Sequence, residues 1–263
     1  MRGAILGDII GSRFEFSNCK SKRFDLFPQD TFFTDDSVMT IAVASALMRW
    51  KNEGGDLGSW AVKEMRRIGC DYYNVGYGET FRNWLKLEDP QPYNSWGNGA
   101  AMRVSPCGWI GQSIEEVKDL SAAVTEITHN HPEGMKGAEA TAVCVYLART
   151  GKTKDEIKRY VLDNYYSIDF TLDEIRDDYC FDVSCQGSVP QALEAFFEAD
   201  GFIDAIRNAI SIGGDSDTIG AITGGIAEAC WGITPRYIDW VRMKLPTDLY
   251  EVVGKFVERY VMA

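Results

Sequence analysis

Histidine is scarce in this chain: only His129 and His131 occur in 263 residues. The seven cysteines are scattered, with no C-x-x-C and only Cys180 and Cys185 close together. A zinc site of the His/Cys kind needs clustered ligands at set spacings, so that class is set aside. The cysteines read instead as reduced thiols, mostly buried. Long apolar runs are missing as well. A membrane span takes ~20 apolar residues, whereas the longest mostly apolar stretch, Ser37 to Met48, has about twelve. Gly3, Gly7, Asp8 and Gly11 break up the first residues, which leaves no secretory apolar core. The expectation is a mature cytoplasmic protein without a membrane segment. Positive charge is short too: 27 Lys and Arg against 39 Asp and Glu give −12. A phosphate backbone would be repelled, so nucleic acid is not an expected partner. There is no G-x-G-x-x-G to suggest a dinucleotide fold, and no Ser-, Pro- or Gly-rich linker divides the chain. Residues 1–263 read as a single domain.

What is present is helical spacing nearly throughout, with no period-two alternation bounded by turn residues. The expected fold class is all-α, a single compact multi-helix bundle. Gly3, Gly7 and Gly11 give a first helix a bare stripe that suits close packing against another helix. Ser113 with Glu116, and Thr153 with Glu156, have capping-box spacing; Ile114, Val117, Leu120, Val124 and Ile127 mark the apolar face after the first box. Thr128-His129-Asn130-His131-Pro132 interrupts, and Pro132 opens a new helix toward Gly151. Further helices are expected at about 37–51, 57–68, 79–87, 189–199, 202–212, 218–231, 235–244 and 248–261. Glu88 to Val104, rich in Pro, Gly and Asn with embedded aromatics, is too long for a plain connection and suits a binding loop.

Two segments hold carboxylates where a core should be. Phe32-Phe33-Thr34-Asp35-Asp36-Ser37 precedes an apolar helix, and Gly213-Gly214-Asp215-Ser216-Asp217-Thr218 precedes one that carries only Glu228. Each alone would serve as an N-cap, since Asp and Thr accept from first-turn N–H groups and complement the helix dipole. A cap needs one oxygen, however, and together the segments offer four carboxylates and two threonine hydroxyls. Converging in a helical core, these carboxylates would repel and take up protons unless cations compensated them. Two divalent ions would balance the charge. An oxygen-only donor set favours Mg²⁺, or Mn²⁺ in its place, over zinc.

At these residues the sequence resembles the ADP-ribosylglycohydrolase family, the group that includes the dinitrogenase reductase-activating glycohydrolases. The resemblance rests on five segments in order: Gly3-Ala4-Ile5-Leu6-Gly7-Asp8 with Glu15 following; Phe33 to Ser37; Trp96-Gly97-Asn98-Gly99-Ala100-Ala101-Met102-Arg103; Thr128 to Pro132; and Gly213 to Thr218. It implies an all-α orthogonal bundle of that family's type. It also implies a binuclear magnesium centre that hydrolyses the N- or O-glycosidic bond between the ribose C1″ of ADP-ribose and a protein side chain or small acceptor. By the resemblance, Thr34, Asp35, Asp36, Asp215, Asp217 and Thr218 are the metal ligands. Glu15, with Asp35 and Asp36, is catalytic. Ser95, Gly97, Asn98 and Gly99 form the pyrophosphate loop, where glycines let backbone N–H groups approach, and His129 lies beside the ADP-ribose. Arg103 would add local positive potential. His131 is read as structural, Trp96 as core or as a cover on the ligand, and Cys180 and Cys185 as packing. A non-catalytic ADP-ribose binder on the same scaffold is the rival reading, and phosphoester hydrolysis at a two-metal site a third. The acceptor and the oligomeric state are not legible.

Overall fold

The computed structural model describes residues 1–262. In chain order its helices are α1 (Arg2–Gly11), α2 (Asp35–Glu53), α3 (Leu57–Asp71), α4 (Glu79–Trp84), α5 (Ser105–Ile110), α6 (Ile114–Thr125), α7 (Pro132–Arg149), α8 (Lys154–Asn164), α9 (Leu172–Ile175), α10 (Cys185–Phe197), α11 (Phe202–Ser211), α12 (Ser216–Trp231), α13 (Pro235–Lys244) and α14 (Thr247–Tyr260). A single 3₁₀ turn, Asn98–Ala100, interrupts the long loop before α5, and no β-strand occurs among the described residues. The all-α class read from periodicity is what the structure has. No helix among the described residues is long and apolar enough to cross a membrane.

The centre is α12, buried from Ser216 to Glu228 and flanked by α1, α7, α10 and α11. Against it the glycine stripe of α1 packs backbone to backbone. A Cβ on Gly7 would stand 1.9 Å from the Gly220 carbonyl oxygen, and one on Gly3 2.1 Å from that of Gly224. No side chain fits there, so the stripe sets how closely the two helices approach. That approach brings Asp8 of α1 and the first turn of α12 to the same end of the bundle. Gly7→Ala is therefore expected to destabilise by about 1–3 kcal/mol, the usual cost of overpacking. Gly254 of α14, with nothing within 4 Å of an added Cβ, should instead gain roughly 0.5–1 kcal/mol as Ala. Urea midpoints of the two variants test this contrast, and equal shifts would contradict it.

Several local expectations need correction. Ser113 accepts from Glu116 N–H, but the Glu116 carboxylate takes the Gln112 N–H and not that of Ser113, so only half of that box forms. Thr153 and Glu156 form a complete one, and so do Thr171 and Glu174. The helix expected at 189–199 begins at Cys185 with Ser184 as its cap and ends at Phe197, with Pro190 in its interior. Helices α5 and α9 were not anticipated: four to six residues show no period. Only Cys107, Cys144 and Cys185 of the seven free cysteines are buried, not most of them. His131 caps α7, its Nδ1 accepting from Glu133 N–H, which is the structural role expected of it.

Candidate active site

The N-terminus of α2 is organised from outside itself. Asp8, fully buried on α1, accepts from Thr34 N–H (3.0 Å), Thr34 Oγ1 (2.7 Å), Ser37 N–H (3.1 Å) and the Ser37 hydroxyl. Thr34 is the cap of the helix, its hydroxyl accepting from Asp36 N–H at 3.3 Å. Capping is thus supplied by Thr34 and Asp8, and the carboxylates of Asp35 and Asp36 are not needed for it. Both line a cavity of about 600 Å³. Asp36 Oδ2 accepts from Thr218 Oγ1 at 3.2 Å, whereas Oδ1, buried, has no hydrogen-bond partner among the described residues. Gly76, at φ +117°, gives way to Asp35: a Cβ there would stand 2.8 Å from Asp35 Oδ1.

The start of α12 supplies the opposite wall. Gly213 and Gly214 turn at φ +73° and +74°, and a Cβ on Gly214 would run into the Tyr179 ring. Asp215 sits at the cap position, yet its side chain bonds no N–H of its own helix. Its Oδ2 accepts instead from Asn98 Nδ2 at 2.7 Å. Asp217 Oδ1 accepts from Thr218 N–H at 3.0 Å. Capping thus accounts for Thr34 and for one oxygen of Asp217, and leaves the carboxylates of Asp35, Asp36 and Asp215 unexplained.

Glu15 closes the site from the loop after α1. Its carboxylate and those of Asp215 and Asp217 bring one oxygen each within 4.8 Å of one another, a group able to hold a metal ion. The Asn18 amide holds this loop in place: Nδ2 donates to the carbonyls of Phe14, Glu15 and Gly214, and Oδ1 accepts from Gly214 N–H at 2.9 Å. Lys20 Nζ adds bonds to the carbonyls of Tyr179 and Ile212, and Phe16 stacks on Phe181 with ring centroids 6.1 Å apart. Asp35 and Asp36 lie outside that three-carboxylate group and join it through the shared cavity and Thr218. Thr34 is buried and is not among the lining residues.

The electrostatics follow from these positions. Burial, then repulsion from Asp217 and Asp8, pushes Asp35 and Asp36 well above the usual carboxylate range. Burial and Asp215 do the same to Asp217. Burial raises Asp8 and Asp215 to about 6 against the hydrogen bonds they accept. Glu15 reaches about 7 through burial and then Asp217 and Asp8. Six acids therefore share a region with too little positive charge to hold them ionised. Arg103 is the one Lys or Arg that lines the cavity, and it is fully buried. Oxygen donors only, excess negative charge and an orphaned buried Asp36 Oδ1 fit hard divalent cations.

The expected pyrophosphate loop lines the same cavity, with Ser95, Gly97, Asn98, Gly99 and His129 all present. Two of its backbone donors are already engaged: Gly97 N–H with Ser95 Oγ, and Asn98 N–H with the Val183 carbonyl at 2.7 Å. The Asn98 side-chain nitrogen Nδ2 is spent on Asp215 and Ser188. The loop thus braces the acidic wall as well as facing the ligand space. Trp96 is not core; it is half exposed at the cavity and meets His131 edge-on. Sequence reasoning did not single out Asp8, Asn18 and Gly76. A lone Asp in an apolar, glycine-striped helix was the one available signal, and it pointed to Asp8.

A family model described as ADP-ribosylglycohydrolase matches residues 1–262. Among curated proteins, ADP-ribosylhydrolase ARH3 of Homo sapiens is 24% identical over 91% of this chain and 86% of its own. ADP-ribosylarginine hydrolase Tri1 of Pseudomonas putida (strain GB-1) is 23% identical over 91% of this chain and 71% of its own. A solved structure titled ADP-ribosylglycohydrolase-related protein complex superposes with a TM-score of 0.72 at 21% identity, covering 99% of this chain and 95% of that one. At that identity the superposition shows the shared fold.

Proposed function

The chain belongs to the ADP-ribosylglycohydrolase family, and on that footing we propose that it is a metal-dependent hydrolase. It would cleave the N- or O-glycosidic bond joining ADP-ribose to a modified protein side chain or a small acceptor, working as one domain. The observation that carries this reading is the meeting of Glu15, Asp215 and Asp217 at one cavity with the unpartnered Asp36 Oδ1. Thr34, Asp35, Asp36, Asp215, Asp217 and Thr218 would hold two Mg²⁺ ions, or Mn²⁺ in their place. Thr34 has one lone pair left for this after its bonds to Asp8 and Asp36 N–H. Such ions supply Lewis acidity toward ribose hydroxyls and water when bound.

The chain's own residues would do the rest. Ser95, the Gly97–Gly99 turn and His129 hold the diphosphate end of the ligand, and the acidic wall orients the distal ribose. Glu15, set by Asn18 against that wall, moves the proton as the bond at C1″ breaks through an oxocarbenium-like state. Asp8 keeps Thr34 and Ser37 in place and so aims Asp35 and Asp36.

The test is a panel of arginine-, serine- and O-acetyl-linked ADP-ribose incubated with the protein and Mg²⁺, with free ADP-ribose as the readout. Exhaustive chelation should abolish turnover and Mg²⁺ or Mn²⁺ should restore it. Full activity without metal, checked by elemental analysis, would overturn the metal-dependent reading. Tight ADP-ribose binding with no product would mean a binder, and release of phosphate or AMP would mean phosphoester hydrolysis.

A further inference from the structure

The His129 ring is fixed by a chain of bonds that starts at a buried guanidinium. Arg103 Nη2 donates to Thr128 Oγ1 at 2.7 Å and to the Val124 carbonyl at 3.3 Å. Thr128 Oγ1 lies 2.8 Å from His129 Nδ1. A hydroxyl carries one proton, and an arginine always donates, so Thr128 receives from Arg103 and has its own proton to place. The other acceptor in reach is the Thr125 carbonyl at 3.4 Å. That oxygen already accepts two shorter bonds, from the N–H groups of Thr128 (3.1 Å) and His129 (2.9 Å), so both of its lone pairs are occupied. The Thr128 proton therefore goes to His129 Nδ1, and the ring's own proton sits on Nε2.

Nε2 is the nitrogen that faces the ligand space. A Cβ on Gly97 or Gly99 would stand 3.5 or 3.4 Å from it, so these glycines leave room between the ring and the cavity. We propose that Arg103 and Thr128 are positioning residues that hold His129 as an Nε2–H donor aimed past the Gly97–Gly99 turn at an anionic oxygen of the ligand. Resting on the reading above, this assigns a task to Arg103 that differs from touching the ligand. Its charge also keeps the imidazole neutral: burial and then Arg103 hold His129 well below the usual histidine range. Arg103 remains a cation at neutral pH, although burial lowers it to about 10. The Tyr93 ring packs against the imidazole at 5.9 Å and, pushed up to about 12 by burial, stays un-ionised. The donor is thus constant in charge and direction.

The chain has only two histidines, so side-chain ¹⁵N spectra of the whole protein, assigned with His131→Gln, report the tautomer directly. Wild-type His129 should show an unprotonated Nδ1 and a protonated Nε2, and should not titrate over the range in which the protein stays folded. Thr128→Val should shift the ring toward the other tautomer or a mixture, and Thr128→Ser should restore it. With ADP-ribose as probe, Thr128→Val should weaken binding by about tenfold, one hydrogen bond's worth, and raise KM more than it lowers kcat. A protonated Nδ1 in the wild type, or a tautomer unchanged in Thr128→Val, would overturn the proposal. Neither result depends on turnover, so failure of the hydrolase reading and failure of this one are read separately.

Discussion

Asp36→Asn and Asp217→Asn should each raise the stability of the metal-free protein at neutral pH and, at the same time, lose most of the stabilisation that Mg²⁺ brings. The opposite signs come from the same charge. In the metal-free chain Asp36 is buried and repelled by Asp217, Asp8, Asp35 and Asp215, so neutralising it relieves a cost. The bonds that Asn can keep are kept, since a side-chain oxygen still accepts from Thr218 Oγ1 at position 36 or from Thr218 N–H at position 217. The cap of α2 is untouched because Thr34 supplies it. With cations bound, each change removes a unit of negative charge and an oxygen donor, and affinity should fall by at least the 10–100-fold typical of changes further from a metal. A ligand at a hundredfold excess over its Kd stabilises by about 2.7 kcal/mol, roughly 5–10 °C in Tm for a chain of this size; the variants should lose at least half of that increment. Turnover should fall with it, and the double variant should be much less than additive because the two residues serve one centre. If both Asn variants kept near-normal activity and metal-induced stabilisation, convergence of Asp36 and Asp217 on one centre would be wrong.

The wild type carries the matching pH signature. A carboxyl raised in the folded state contributes stability that is fully present below its unfolded pKa and is lost as pH rises through its folded one. For Asp8 and Asp215 that loss runs from the ordinary carboxylate range up to about 6, and for Glu15 up to about 7. Metal-free protein should therefore melt at falling temperature from pH 5 to pH 8, and saturating Mg²⁺ should flatten that slope.

The acidic wall was legible because carboxylates beside an apolar helix conflict with burial, and that conflict shows in a single line of residues. Roughly 180 positions separate Asp36 from Asp217, and their meeting depends on α1, whose glycine stripe announced close packing without naming the Gly220 and Gly224 face it packs on. Asp8, visible in the first matching segment, has no role legible there because its partners, Thr34 and Ser37, lie 26 and 29 residues away, where no local pattern links them. Gly76 and Asn18 act through tertiary approach alone: one leaves space for Asp35, and the other ties the Glu15 loop to Gly214. The loop proposed to hold the diphosphate was legible in composition but not in bonding. Its Asn98 amide holds Asp215, and its Gly97 and Asn98 N–H groups are already committed.

Glu15→Gln should lower kcat by about 10²–10⁴, the usual contribution of a positioned acid or base, while ADP-ribose binding changes little. Gln keeps the size of the side chain and the backbone bonds that Asn18 makes to the loop, so the cavity wall stays in place. It cannot carry or release the proton. Glu15 also belongs to the three-carboxylate group with Asp215 and Asp217, so two roles predict different companions to the loss of rate. A proton-transfer group loses kcat and retains the Mg²⁺-induced rise in Tm; a metal ligand loses both together. The pH profile separates them further. A carboxyl raised to about 7 by burial and by Asp217 holds its proton below that pH and gives it up above, so a proton donor produces an alkaline fall in kcat. Bound cations offset the repulsion from Asp217 and move that fall to lower pH. In Glu15→Gln the fall should disappear along with most of the rate. A variant that kept the wild-type pH limb, or that lost rate only in proportion to its loss of ADP-ribose affinity, would assign Glu15 to positioning and leave the proton transfer to another group.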